Sequence, residues 1–311
     1  MRVFLAGGTG VIGRALVPQL REAGHDVTAM TRYESRAEKL RDQGVEPVVC
    51  DAFDTDGVAR AVAAARANVV VNQLTDIPDA INPRKMAEQF ETNDRLRTEG
   101  TRNLMQAAEA VGARRFVSQS IAWAYAPTEG LWSEGDRLWD EAPGPWGRSV
   151  AAVRALEEAT LGSDSVEGVV LRYGLFYGPG TAFASDGSTA AMVRKRAFPV
   201  VGRGTAVYSY IQVDDAAGAT VAALDHGAPG AYNVVDDDPA MMREWLPKYA
   251  DALGARPPRR VPRFIVRLAA GKFGLYMSTQ LQGATNEKAK RELGWQPRWT
   301  SWRQGFQEAL G

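Results

Sequence analysis

The chain has 311 residues, of which 45% are hydrophobic and 24% charged, with 37 Lys+Arg against 37 Asp+Glu. That length accommodates one large α/β domain or a nucleotide domain with a smaller partner. Zero net charge argues against nucleic acid as a main partner, and the basic runs Arg194-Lys195-Arg196 and Arg259-Arg260 read as solvated charges.

In chain order, strand-like Arg2–Ala6 runs into a glycine-rich turn and a helical pattern, Val11–Ala23. Strand Asp26–Met30, helix Arg36–Asp42, strand Glu46–Cys50 and helix Val58–Ala65 follow. Strand Val69–Asn72, a long helix over Lys85–Val111, and strands Arg115–Ser118 and Gly168–Arg172 complete the alternation. Short Val-rich runs between helical segments imply a doubly wound parallel Rossmann sheet, an α/β fold with helices on both faces. From Tyr173 the regularity breaks: strand runs Ala206–Val213 and Ala231–Val234 alternate with helices Asp214–Leu224 and Ala240–Leu253, and a Pro/Arg link (Arg256–Arg260) precedes the last helices. The expected organisation is a dinucleotide-binding domain over 1–172 and a smaller C-terminal α/β substrate lobe over 173–311 that shares residues with it.

Cys50 is the single cysteine, so no intramolecular disulfide forms and a reducing compartment fits. The two histidines, His25 and His226, lie in separate turn-like contexts, which leaves no His-based triad and no metal site to expect. The apolar start, Met1 to Ala6, is too short for a signal peptide. No stretch approaches the ~18 apolar residues of a membrane span. A cytoplasmic protein without a membrane partner is expected.

The turn Gly7-Gly8-Thr9-Gly10-Val11-Ile12-Gly13 joins a strand to a helix. Gly7 permits the tight turn, Gly10 the close approach of a pyrophosphate, and Gly13 the packing of helix on strand. Free amides around Thr9, Val11 and Ile12, with the positive end of the helix dipole, then face the phosphates. The second strand ends Thr31-Arg32, without the acid that would hydrogen-bond a ribose 2′-hydroxyl. Arg32 and Arg36 are instead suited to a 2′-phosphate, so NADP(H) is expected over NAD(H). Asp51 is placed to meet the adenine amino group with Ala52 beside it, and Leu74 to lie along the nicotinamide ribose.

With these residues the chain resembles the extended short-chain dehydrogenase/reductases of the NAD-dependent epimerase/dehydratase type. The resemblance continues through Gly100-Thr101-Arg102-Asn103-Leu104, Phe116-Val117-Ser118-Gln119-Ser120, Leu171 to Gly180, Ile211 to Ala217 and Lys290 to Pro297. It places Tyr173, Gly174 and Leu175 at the cofactor. It also implies a Ser/Thr at the end of the fifth strand and a Tyr-x-x-x-Lys helix, in which lysine lowers the tyrosine pKa and tyrosine transfers a proton. Here Ser149 stands where the tyrosine belongs, Val153 where the lysine belongs, and Arg97 where the family carries an asparagine. Three readings follow: another acid, hydride transfer that needs little acid help, or dinucleotide binding without catalysis.

Ser118, Ser120 and Tyr125 are the candidate catalytic replacements; strand alternation sends both serines to one side. Arg154 reads as a surface cation. Four tryptophans between Trp123 and Trp146 suggest an apolar, aromatic substrate pocket or a lid, and Phe273 to Met277 is placed to close it. The function expected is an NADPH-dependent reductase of a small, largely apolar carbonyl, imine or activated alkene. The alternatives are an NmrA-like dinucleotide-binding regulator and a nucleotide-sugar epimerase or dehydratase. The partner expected is a small-molecule substrate, and the protein itself a monomer or homodimer.

Overall fold

A computed structural model describes residues 1–79, 81–82 and 85–309. Strands β1 (Arg2–Ala6), β2 (Asp26–Thr31), β3 (Glu46–Val49) and β4 (Val69–Asn72) alternate with helices α1 (Val11–Glu22), α2 (Glu34–Asp42) and α3 (Thr55–Ala64). Short helices α4 (Met86–Gln89) and α5 (Glu91–Arg95) lead through a π-helical turn, Leu96–Gly100, into α6 (Thr101–Ala110). Strand β5 (Arg115–Ile121), helix α7 (Pro145–Leu161) and strand β6 (Glu167–Tyr173) follow. The remainder comprises β7 (Leu175–Tyr177), α8 (Ser188–Arg194), β8 (Val200–Val201), β9 (Val207–Tyr208), β10 (Tyr210–Gln212), α9 (Val213–Ala222) and β11 (Gly230–Val234). It ends with β12 (Ala240–Met241), α10 (Met242–Ala252), β13 (Arg260–Val261), α11 (Arg263–Thr279), α12 (Glu287–Leu293) and α13 (Trp302–Ala309).

Seven strands form one parallel sheet in the order β11-β6-β5-β4-β1-β2-β3. The chain winds outward from β1 to β3, then crosses back to β4. The crevice of a doubly wound sheet therefore opens at the carboxyl ends of β1 and β4, where ligands bind in such folds. Every residue of β4 is buried, as a strand covered on both faces requires. One face packs Leu16, Val17 and Leu20 of α1 with Ala216, Ala217 and Ala219 of α9; the other packs Val58 and Val62 of α3 with Leu104 and Ala108 of α6. A third core, centred on Tyr210, Trp245, Tyr249, Trp302 and Phe306, is built mostly from residues after 173, with Ala122, Tyr125 and Trp132 joining it.

Two elements differ from expectation. The single helix over Lys85–Val111 is broken, because Phe90 leaves helical geometry (φ −99°, ψ 0°) and the turn at 96–100 takes an extra residue. Threonine hydroxyls bond there to backbone carbonyls: Thr98 Oγ1 donates to Asp94 O at 3.1 Å and Thr101 Oγ1 to Leu96 O at 3.4 Å. Such back-bonding competes with the regular ladder. The strand expected over Ala206–Val213 splits at Ser209, whose carbonyl accepts from Leu175 N and whose hydroxyl accepts from Ala284 N.

Among the described residues no helix is long and apolar enough to cross a membrane, and no group of three His, Cys, Asp or Glu is arranged to hold a metal.

Candidate active site

The turn after β1 is built as a cradle. Gly7 holds φ +92°, and a Cβ there would lie 2.6 Å from the Gln73 carbonyl oxygen; a Cβ on Gly13 would lie 2.3 Å from Gly7 O. Gly10 N donates to Gly7 O at 3.0 Å and Arg14 N to Gly10 O at 3.1 Å. The amides of Val11, Ile12 and Gly13 belong to the first turn of α1 and have no helical acceptor. That turn carries no acidic side chain and no side-chain cap, so its positive end is open to an anion. The donors fit a pyrophosphate. Thr9 lies half-buried at the mouth of the turn.

At the adenosine end, the Arg32 and Arg36 guanidiniums lie 5.5 and 5.0 Å from the Tyr33 ring centroid. All three side chains are exposed, and Arg32 sits 3.9 Å from Asp76. Asp51 uses one carboxylate oxygen to accept from Phe53 N at 2.9 Å, which fixes its loop. Ala52 is buried, its carbonyl accepting from Asn103 Nδ2 at 2.9 Å. Gly100 faces both Ala52 and Leu74 at van der Waals distance, so the expected Ala52 and Leu74 do come together. Tyr173 lies beneath the cradle: its buried hydroxyl accepts from Gln73 Nε2 at 3.2 Å and pairs with Thr220 Oγ1 at 2.7 Å. Burial pushes this phenol up to about 12. Gly174 and Leu175 use their amides to bond Val234 O and Ser209 O.

Ser118 and Ser120 both face α7. Ser118 Oγ accepts from Thr160 Oγ1 at 3.0 Å, and Ser120 Oγ donates to Glu157 Oε1 at 2.7 Å. Glu157 is also held by Arg172 through two hydrogen bonds of 2.9 and 2.5 Å. Tyr125 completes this network, its hydroxyl accepting from Arg172 Nη1 at 2.9 Å and donating to Asn233 Oδ1 at 2.5 Å. The Tyr125 side chain is fully buried, and desolvation raises its phenol well above the ordinary value. Its proton is thus held inside the protein. Tyr177 packs in the second lobe's core, 5.2 Å from Phe306, and Arg154 is a half-exposed cation paired with Asp140.

Helix α7 carries neither tyrosine nor lysine, and no Tyr-x-x-x-Lys occurs anywhere in the chain. Its buried face presents Trp146, Ser149, Val150 and Val153. Opposite runs a stripe of Met86, Phe90, Asn93 and Arg97, spaced four, three and four residues apart. Ser149 Oγ donates to Asp94 Oδ2 at 3.2 Å, and Arg97 Nη1 lies 3.9 Å from Asp94 Oδ1. Burial raises the Asp94 carboxyl and lowers the Arg97 guanidinium to about 10, with Asp94 and Glu157 pulling the latter back up.

Three of the four tryptophans after β5 gather at the outer end of this face. Trp123 stacks on Trp146 at 4.9 Å, Phe273 of α11 lies 4.8 Å from Trp146, and Trp139 lies 4.5 Å from Tyr276. Trp132 departs from the group: it stacks on Tyr125 and donates its indole N–H to Ala126 O. A cavity of about 220 Å³ opens beside the aromatic group, lined by Met86, Pro145, Lys272 and Phe273 among others. Sequence reasoning missed the polar end of the face. The signal was available in Arg97, a charge placed in register with Met86 and Phe90.

A cradle for a dinucleotide at the switch point of a doubly wound sheet defines an NAD(P)-binding oxidoreductase fold. The profile of the NAD dependent epimerase/dehydratase family matches residues 3–235, and the chain belongs to that family, as an enzyme of oxidoreductase type. It is 46% identical over 308 residues to 3-diazoavenalumate denitrifying reductase of Streptomyces sp., covering 98% of this chain and 99% of that protein. It is 29% identical to 2-alkyl-3-oxoalkanoate reductase of Stenotrophomonas maltophilia (strain K279a), over 82% of this chain and 76% of the relative. In fold it is similar to UDP-glucose 4-epimerase of Thermotoga maritima in complex with UDP-glucose, with TM-score 0.78 and 21% identity across 99% of this chain and 97% of that one. UDP-glucose 4-epimerase of Thermus thermophilus in complex with NAD gives TM-score 0.76 and 23% identity over the same shares.

Proposed function

We propose that the protein is an NADPH-dependent reductase that removes a diazo group from an aromatic substrate as dinitrogen. The observation that carries this reading is the replacement of the proton-transfer pair by Ser149 and Val153 in a chain 46% identical to a denitrifying reductase. Reduction of a carbonyl or imine ends with a proton delivered to oxygen or nitrogen, which calls for a positioned acid. Replacement of a diazonium by hydride does not: hydride forms the new C–H bond, and the C–N bond breaks with its electron pair leaving on dinitrogen. The bound reduced nicotinamide supplies that hydride.

The chain's own residues bind, orient and exclude water. The amides of Thr9, Val11, Ile12 and Gly13 in the turn from Gly7 through Gly10 hold the pyrophosphate. Arg32 and Arg36, flanking exposed Tyr33, hold the 2′-phosphate that distinguishes NADPH from NADH. Asp51, Ala52 and Leu74 border the adenosine and ribose, while Tyr173 with Gly174 and Leu175 supports the turn and the nicotinamide edge. Ser118, Ser120 and Tyr125 are positioning residues here, because their hydroxyls are engaged with Thr160, Glu157, Arg172 and Asn233. The Trp123, Trp146 and Phe273 rings receive a flat aromatic group and exclude water.

The test supplies an aryl diazo acid with NADPH deuterated at the transferable position. Expected are dinitrogen release in step with NADPH oxidation and deuterium on the carbon that bore nitrogen. Deuterium taken only from deuterated water, or no NADPH consumed with diazo acids while ketones or imines are reduced, overturns the reading.

A further inference from the structure

At the inner end of the α4–α5/α7 face the Arg97 guanidinium, Asn93 Nδ2 and the Asp94 Oδ1 acceptor lack hydrogen-bond partners among the described residues, as does the Trp146 indole at the aromatic end. Arg97 is 6% exposed, yet its guanidinium donates no hydrogen bond to a described residue, and the ion pair it makes among them is with Asp94 at 3.9 Å. Asn93, fully buried, has an Nδ2 without an acceptor among the described residues, although its Oδ1 accepts from Asp76 N at 3.0 Å. Trp146, 1% exposed, likewise has an indole N–H without an acceptor there. A guanidinium carries five N–H donors, and leaving buried donors unmet costs the full desolvation of each. The shortage is of acceptors in the right place. Asp94 gives one oxygen to Ser149 and holds the other too far from Arg97 for a hydrogen bond, while Glu157 is taken up by Arg172 and Ser120.

The two ends of the face are continuous. Arg148 donates to Ala87 O at 3.1 Å, and Ser149 to Asp94, so α7 runs alongside the stripe from its aromatic end to its charged end. Phe90, Trp146, Val150 and Val153 share one apolar cluster with Trp123 and Phe273 packed on it. The aromatic residues and Arg97 thus lie along one packed helix–helix face, with Phe90, Val150 and Val153 between them.

We propose that Arg97 is a specificity-determining residue that receives an anionic oxygen, a carboxylate or phenolate, carried by the aromatic substrate. Planar guanidinium pairs with carboxylate in bidentate fashion. Asn93 Nδ2, four residues before Arg97 on the same stripe, adds a neutral donor. Asp94 is the internal competitor: it holds Arg97 loosely when the site is free of substrate and yields when a second carboxylate offers better geometry. The inference rests on the reading of this pocket as the substrate site, and it deepens that reading by naming the charge the substrate carries.

The experiment measures binding rather than turnover, with enzyme saturated by NADP⁺ so that the pyrophosphate cradle is filled. The probes are 4-hydroxybenzoate and 4-hydroxybenzamide, matched in shape and different in charge, followed by quenching of tryptophan fluorescence. Wild type is expected to bind the acid about tenfold more tightly, a difference of about 1.4 kcal/mol. Arg97→Gln is expected to erase that preference by weakening the acid alone. Asp94→Asn is expected to tighten the acid and leave the amide unchanged, which keeps the proposal testable if the Arg97 variant does not fold. Equal affinity of wild type for acid and amide overturns the proposal, as does an Arg97→Gln variant of unchanged melting temperature that loses both probes alike. Failure to release dinitrogen from diazo acids counts against the proposed reaction and leaves this preference standing.

Discussion

A buried hydroxyl bonded on both sides is a poor proton donor and a good rivet. Tyr125 accepts from Arg172 and donates to Asn233, so Tyr125→Phe strands two buried polar groups and is expected to cost about 1–3 kcal/mol of stability. Turnover of enzyme that remains folded is expected to change by less than about threefold, since no step draws on that proton; a collapse of turnover at constant melting temperature would make Tyr125 the acid after all. Asp94 permits a pH test. Its native pKa lies above that of an unfolded aspartate, near 3.9. The native state thus binds the proton more tightly, and the resulting stability is present below about pH 4 and lost as pH rises through the native titration. Asp94→Asn removes that loss, so urea unfolding at stepped pH is expected to shift in the variant's favour on rising above pH 4; a difference that stays flat with pH contradicts it. In Gly7 to Gly13 a short stretch carries its whole constraint locally, and the turn has the crowding that its glycines imply. The partners of Tyr125, Arg172 and Asn233, lie 47 and 108 residues away and come together only in the folded sheet, so its hydrogen bonds were not legible in the sequence.

At the scale of elements, the strands β1 and β4 begin and end where alternation and valine content place them, because each is bounded by glycine, a polar residue or a charge. Helix 85–111 was legible as helical but not as broken, since a 3.6-residue pattern tolerates one inserted residue without losing its apolar stripe. That insertion includes Arg97, at the charged end of the α4–α5/α7 face, in keeping with the tendency of π-bulges to occur at functional sites. Helix α11 shows the converse. It is kinked at Gly271 (φ 67°, ψ −163°), and only the part beyond the kink brings a ring, Phe273, onto Trp146. Phe273→Ala is expected to raise the KM for an aromatic substrate severalfold while leaving the dissociation constant for NADPH unchanged. Nicotinamide affinity falling in parallel would place α11 in the cofactor site instead.

For the molecule as a whole, segments after residue 173 return to the main sheet, so the lobe expected over 173–311 is interleaved with it, and this bears on how the protein unfolds. Strand β11 pairs with β6 inside the main sheet although it follows much of the second lobe. Arg115 of β5 donates to the carbonyls of Ala223, His226 and Gly227 at 3.0, 2.7 and 3.0 Å, and Gln19 of α1 to Asp214 O at 2.9 Å. Trp295, beyond α12, donates to Asp215 O at 3.0 Å. The doubly wound parallel sheet was legible from the alternation of Val-rich strands and helices, whereas nothing local marks residues 213–234 as returning to it. Breaking the second lobe away would strip α9 from α1 and remove an outer strand, exposing Leu16, Val17 and Leu20, so neither part has a complete core alone. We therefore expect a single calorimetric transition. NADPH, bound on loops of the main sheet, is expected to move that transition intact: at a concentration a hundred times its dissociation constant it adds about 2.7 kcal/mol to the native state. Two resolved transitions, with NADPH raising only one, would mean that the interleaved strands do not couple the lobes.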